Sequence, residues 1–353
     1  MSLSEHTTTQ LIERYSALKA GNKHLRLRDA ATQLGVSELE LILSDLDPAS
    51  FRLRDDPRQI LKGMPSVGSV MCLTRNDAAV HERHGCFEDV RVDGPVGLVL
   101  GADIDLRLFF RQWSSAYYLR QTLASGIRES IQFFDISGCA ILKIYATDQT
   151  DLEAFRTLAE KHRHTAGNLF PSITAFPPTP AAANIFSVDE LRKAWSKLRD
   201  THDFHGLLHQ FNADRISALT AVGAPYARAI SLTAISVLLE QACKRQLPIM
   251  VFVNNRCCIQ IHTGNVEQYK RLENWLNILD PDFNLHLDSC QFSSAWLVRK
   301  PSDDGIVTSI EVFDQNRELC VQFFGARKPG IAERRDWVAL AESMPTLEGD
   351  TCH

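Results

Sequence analysis

Histidines at 202, 205 and 209 recur at i, i+3 and i+7. On a helix, at about 100° per residue, that spacing gathers them on one face. Phe204, Leu207, Leu208 and Phe211 recur at i, i+3, i+4 and i+7 and point roughly the other way. The stretch 198–215 therefore reads as a helix with an apolar core stripe and a separate imidazole stripe. Gly206 lies beside the imidazoles; a helical glycine costs about 1 kcal/mol relative to alanine, and it leaves room for a flat group to approach. A neutral imidazole nitrogen is a common metal ligand. Haem iron and zinc are the two metal chemistries such a stripe could serve, against a plain set of solvated surface histidines.

Other reactive residues carry less. His81 and His84, near a strand end, and His162 and His164, in a basic KHRH stretch, read as surface residues. Cations gather in the second half at Arg215, Lys300, Arg327 and Lys328. Around one imidazole-bearing pocket they could bind carboxylates, which a guanidinium matches bidentately. No G-x-G-x-x-G follows a strand, and no G-x-x-x-x-G-K-[ST], G-x-S-x-G or H-E-x-x-H occurs, so the nucleotide loops and hydrolase motifs of those types find no support.

Composition narrows the class. The 353 residues suggest two domains of ordinary size, and a net charge of −5 argues against nucleic acid or an anionic membrane as partner. No apolar run approaches the roughly 18 residues needed to span a bilayer. The polar N-terminus has no signal-peptide core, which leads to the expectation of a cytoplasmic protein. Nine cysteines without a C-x-x-C pair read as reduced thiols, with Cys72, Cys257, Cys258 and Cys320 as buried small hydrophobes.

The elements that must hold the site follow in order. Residues 8–47 read as helical and include a helix-turn-helix look-alike, with Gly35 in the turn and Ser37 as N-cap. A DNA-binding regulator is the reading that follows, but Glu38, Glu40, Asp45 and Asp47 on the would-be recognition helix would repel phosphates. Residues 67–145 are strand-like, with a hairpin turn between Ile136 and Ala140. Residues 150–164 read as a helix with Leu152, Phe155, Leu158 and Ala159 inward. A proline-rich linker over 168–186 separates an N-terminal unit, 1–167, from a C-terminal unit, 187–353, whose first helix starts at a Ser187–Glu190 capping box.

The second half copies the first. Gln112-x-Ser114-Ser115-Ala116-Tyr117 falls on Gln291-x-Ser293-Ser294-Ala295-Trp296, and Ser130-Ile131-Gln132-Phe133-Phe134-Asp135 on Ser309-Ile310-Glu311-Val312-Phe313-Asp314, at a constant offset of 179. Upstream the offset is 177, which sets Gly35 on Asn212 and places Leu25 and Arg28 where the second half has His202 and His205. Arg107 takes the place of His286. Shared apolar positions with unlike polar residues lead to an expected α+β fold of two tandem repeats. Each repeat is a large antiparallel sheet with flanking helices, and an asymmetric ligand cleft is expected between them.

Long segments in the right order, THDFHGLL at 201–208, DIDLRLFF at 103–110, CIQIHTG at 258–264, LDPDFNLHL at 279–287, WLVRKPSDDGIVTSIEVFD at 296–314 and FFGARKPG at 323–330, resemble the bacterial cytoplasmic haem-transport and hemin-degrading factor family. The resemblance covers nearly the whole chain. It implies haem as the ligand, His202 as the proximal iron ligand and His205 as an alternative ligand. It implies Arg107 on the iron's other side, with Arg107 and His202 as the catalytic pair if the chain degrades haem. Arg215, Lys300 and Arg327 would line the cleft around the propionates, Phe109 and Gln322 the pocket, and His286 a secondary haem site. Val321 stands where some members carry tyrosine, which puts one propionate contact in doubt. The implied function is uptake and trafficking of imported haem, with an inner-membrane importer and a downstream acceptor as partners, as a monomer or homodimer. The alternative is oxidative ring opening with release of iron, which needs a reductant or peroxide.

Overall fold

The computed structural model describes residues 5–22, 25–54, 56–165, 170–176, 182–201, 203–328 and 330–347. The chain forms two compact units. One comprises 1–74, 83–177 and 255–259; the other comprises 75–82, 178–254 and 260–353.

The first unit opens with helices α1 (Glu5–Gly21), α2 (Leu27–Leu34) and α3 (Glu38–Ser44). Between α2 and α3, Gly35 adopts φ 72°, a left-handed conformation that glycine takes without a Cβ clash. Ser37 then forms a reciprocal capping box with Glu40. Strand β1 (Phe51–Arg52), helix α4 (Pro57–Gly63) and strands β2 (Gly68–Arg75), β3 (Ala79–Cys86), β4 (Asp89–Arg91), β5 (Val96–Leu100), β6 (Asp105–Phe109), β7 (Trp113–Leu123), β8 (Gly126–Asp135) and β9 (Ala140–Thr150) follow, then α5 (Leu152–Lys161). The strands β1-β7-β8-β9-β2 pair in that order and β4-β5-β6 form a meander, all antiparallel. Strand β2 alternates with period two, putting Val70, Cys72 and Thr74 inside. Phe155, Leu158 and Ala159 of α5 join the core, while Leu152 stays exposed at the helix start.

The second unit repeats this plan. After α6 (Val188–Trp195), capped by Ser187, come α7 (Asp203–Gln210), α8 (Arg215–Val222), β10 (Ala227–Ile230) and α9 (Ala234–Lys244). Then come β11 (Ile249–Asn254), β12 (Cys258–Gly264), β13 (Tyr269–Leu272), β14 (Trp275–Leu279), β15 (Phe283–Asp288), β16 (Phe292–Ser302), β17 (Gly305–Asp314), β18 (Leu319–Gly325) and α10 (Arg335–Glu342). The order β10-β16-β17-β18-β11, with a β13-β14-β15 meander, reproduces the first unit. Even the irregularities repeat at the offset of 179. Bulges fall at Trp113/Ser115 and Phe292/Ser294, and again at Phe133/Phe134 and Val312/Phe313.

Several expectations need correction. The stretch 198–215 is not one helix. Asn212 turns left-handed at φ 43° after α7, and Asp214 starts α8 by accepting from the Ser217 N–H at 3.0 Å. Phe211 thus leaves the helix, though it still packs on the same core as Phe204 and Leu207. His81 is not a surface residue: it is fully buried, 4.9 Å from the Phe283 ring. His162 is buried at the end of α5, and burial lowers its pKa. Two of the four acids weighed against DNA binding do not face outward freely either. Glu38 is buried and paired with Lys143, and Glu40 is taken up by the capping box. Cys72, Cys257, Cys258 and Cys320 are buried as expected. Burial pushes the thiols of Cys257, Cys258 and Cys320 up to about 12, which keeps them protonated and inert.

Candidate functional site

Helix α7 presents its two faces as its sequence pattern requires. Phe204 and Leu207 are buried, and His205, Gly206 and His209 are exposed. His202 lies outside the described residues. A methyl group added at Gly206 would meet nothing within 4 Å, so no internal contact demands glycine there. The space beside the imidazoles is open.

The underside of α7 is pinned by aromatic and cationic contacts. The Trp195 ring meets Phe204 edge-on at 4.9 Å. Arg215 and Lys300 both lie over the Phe204 ring, at 5.0 and 4.5 Å from its centroid. These cations in turn converge on one carboxylate. Glu311, on β17, is wholly buried. It accepts from Arg215 Nε at 2.7 Å and Nη2 at 2.8 Å, from Lys300 Nζ at 2.6 Å, from Ser309 Oγ at 3.0 Å and from Gln322 Nε2 at 3.1 Å.

Burial alone would raise the Glu311 carboxyl, but the Arg215 and Lys300 charges outweigh it and hold the group far below the ordinary carboxylate range. Burial also lowers the Lys300 ammonium, to about 8, against the opposing pull of Glu311. Near neutral pH the cluster therefore holds two cations and one carboxylate, leaving one net positive charge beneath α7.

Three of the residues singled out from the sequence, Arg215, Lys300 and Gln322, are thus brought together. Their shared partner, Glu311, was not singled out. Its signal was present in the repeat, where an acid in the apolar strand SIEVFD replaces the glutamine of SIQFFD. Only the fold shows which cations meet it.

The remaining candidates sit elsewhere. In the first unit, Arg107 on β6 pairs with Asp105 and donates to the Leu106 carbonyl at 3.2 Å. Burial raises the Asp105 carboxyl despite that pairing. Phe109, at the end of β6, is exposed. In the second unit, His286 on β15 has Nδ1 2.7 Å from Asn277 Oδ1. The Asn277 amide nitrogen donates to the Lys270 and Trp275 carbonyls, so its oxygen accepts and His286 Nδ1 donates. Arg327 follows β18, and its Nη1 is buried with no hydrogen-bond partner among the described residues. Val321 belongs to the core of this unit, one residue from Gln322 and so on the other face of the strand.

The chain is a duplicated α+β protein with exposed imidazoles on one face of α7 and a buried cluster of two bases and one carboxylate behind the other. The haemin-degrading HemS.ChuX domain matches the chain twice, over residues 35–162 and 212–344, and the chain belongs to that family. It is 37% identical over 330 residues to the hemin transport protein HemS of Yersinia enterocolitica, covering 93% of this chain and 95% of that one. Among solved structures it is similar to holo-PhuS, a heme-binding protein from Pseudomonas aeruginosa, with TM-score 0.92 and 42% identity over 96% of this chain and 99% of that one. It is also similar to the heme-degrading enzyme ChuS of Escherichia coli O157:H7, with TM-score 0.89 and 35% identity over 96% and 99%.

Proposed function

We propose that this chain is a cytoplasmic haem-binding protein. It takes haem from an inner-membrane importer and passes it to a downstream acceptor, with His202 as iron ligand and His205 as alternative. The observation that carries this reading is α7 itself, with imidazole-bearing positions and an open Gly206 on one face and a net-cationic cluster behind the other. Haem carries both an iron that an imidazole can ligate and carboxylates that a cation such as the partly exposed Arg215 can pair with. Arg107, in the role the resemblance implies, would act on the iron's second side. Phe109, Arg327 and His286 are pocket or secondary positions within the same proposal. Among the described residues no helix is long and apolar enough to cross a membrane.

The test is a haem titration of the full chain and of His202→Ala, His205→Ala and the double variant. The expected result is a Soret band in the parent, altered in His202→Ala and lost or shifted further in the double variant. An unchanged spectrum in the double variant sinks the ligand assignment.

The similarity to ChuS favours a second reading, oxidative opening of the porphyrin with iron release. With reductant, and catalase present to suppress peroxide bleaching, a carrier keeps its Soret band and delivers intact haem to an acceptor. A degrading enzyme loses the band and releases iron.

A further inference from the structure

We infer that Glu311 is a positioning residue for haem: it holds Arg215, Lys300 and Gln322 as one ordered cationic face that receives a haem carboxylate. The inference rests on the haem reading above and adds a residue to it.

The fold itself does not call for this carboxylate. The equivalent place in the first unit, at the repeat offset of 179, holds neutral Gln132, buried on β8 and donating to Ser130 Oγ at 2.9 Å. The same sheet, with the same bulges, is thus built without an acid. A buried carboxylate is costly unless fully paired, and an apolar residue often serves stability as well or better. What Glu311 supplies that glutamine cannot is a full negative charge that orients two cations and an amide at once.

Its geometry gives that arrangement a direction. Glu311 binds the Nε and Nη2 edge of Arg215. A guanidinium is a planar fork, so fixing one edge aims the Nη1 end. The Arg215 side chain is 23% exposed, whereas that of Lys300 is 4% exposed. Arg215 is therefore the accessible contact, and Lys300 supplies charge from behind, next to Phe204 of α7. A ligand carboxylate at Arg215 would sit against a cation already ordered, without the entropy cost of freezing a free side chain.

The test compares haemin with haemin dimethyl ester, which lacks free carboxylates, binding to the full-length parent, Glu311→Gln and Glu311→Asp, with circular dichroism to confirm folding. The parent is expected to favour haemin over the ester. In Glu311→Gln that preference is expected to fall by roughly tenfold, the scale of one charge-assisted hydrogen bond, with the Soret position of the haemin complex unchanged. Glu311→Asp is expected to restore part of it. Equal weakening of haemin and ester would mean a structural role only and overturns the inference. A rise in the preference would mean that Glu311 merely neutralises charge, and overturns it too. A parent that binds both equally removes the carboxylate contact but leaves iron ligation standing, whereas a parent with no histidine-dependent Soret band removes the haem reading itself. Should Glu311→Gln not fold, Lys300→Met leaves Glu311 paired with Arg215 and gives the same comparison. A loss of preference supports the ordered face, and equal weakening overturns it.

Discussion

The two units place a polar cluster at the same point of the same scaffold and wire it differently. In the first, the acid is on the helix and the base on the strand: Glu38 of α3 pairs with Lys143 of β9. In the second, the positions reverse. Arg215 of α8 stands where Glu38 does, at the offset of 177, and Gln322 stands where Lys143 does, at 179. The acid has moved to the middle strand as Glu311, in the place of Gln132, and Lys300 adds a second cation in the place of Gln121. The first pair is self-neutral. The second cluster keeps one uncompensated positive charge, under the helix that carries His205. Duplication supplied the frame, and charge rearrangement at four positions separates a self-neutral pair from a cluster with one cation in excess.

The sharpest break of this comparison is deletion of each acid. Glu311→Ala strands the buried Lys300 and the partly exposed Arg215 and is expected to cost about 3–5 kcal/mol; urea denaturation with circular dichroism reads it. Glu38→Ala strands only Lys143, which is 10% exposed and can partly reach water, so about 2–3 kcal/mol is expected. A smaller loss at 311 than at 38 would contradict the ranking. Replacing both members of the first pair, Glu38→Leu with Lys143→Met, should recover most of that loss and leave haem binding unchanged.

The next prediction moves the histidines. Leu25→His with Arg28→His places the imidazole pair on the first unit, over its neutral cluster. Haem stoichiometry in a Soret titration is expected to stay as in the parent, and a second equivalent would show that charge beneath the helix does not matter.

Helix starts differ as well. Asp214 caps α8 and Ser37 caps α3, so alanine at either should cost about 1 kcal/mol. Only at the first is the capping side chain itself an acid. Burial opposes ionisation of Asp214, but bonds from Ser217, Arg317 and Asn184 outweigh it and lower its pKa from 3.8 to about 2. Its contribution is therefore complete above pH 3.8 and lost as pH falls through about 2. The gap between Asp214→Ala and parent should close on acidification in that window, while the gap for Ser37→Ala persists.

The smallest effect concerns Gly206. With open space around it, Gly206→Ala should stabilise α7 by about 0.5–1 kcal/mol. If a flat ligand lies against that face, the same change weakens haem binding, and an unchanged haem affinity places the ligand elsewhere.

The sequence alone determined the class and the duplication, because both rest on local and periodic information. Alternating strands, proline-rich 168–186, the Gly35 turn and the Ser37 cap are all set by residues within a few positions of each other. The repeat is legible in residue order alone, and it sets the histidines apart as belonging to one half. It misjudged the stretch 198–215, because an apolar stripe continues through Phe211 although Asn212 breaks the backbone; packing is conserved there while the helix is not. It also took His81 and His162 for surface residues, since a polar side chain reads the same whether it is solvated or enclosed. Which charges meet was decided by tertiary structure alone. Arg215, Lys300, Glu311 and Gln322 come from one helix and three strands, up to 107 residues apart, and Coulomb energies in a low-dielectric interior depend on ångströms of separation that no spacing along the chain encodes.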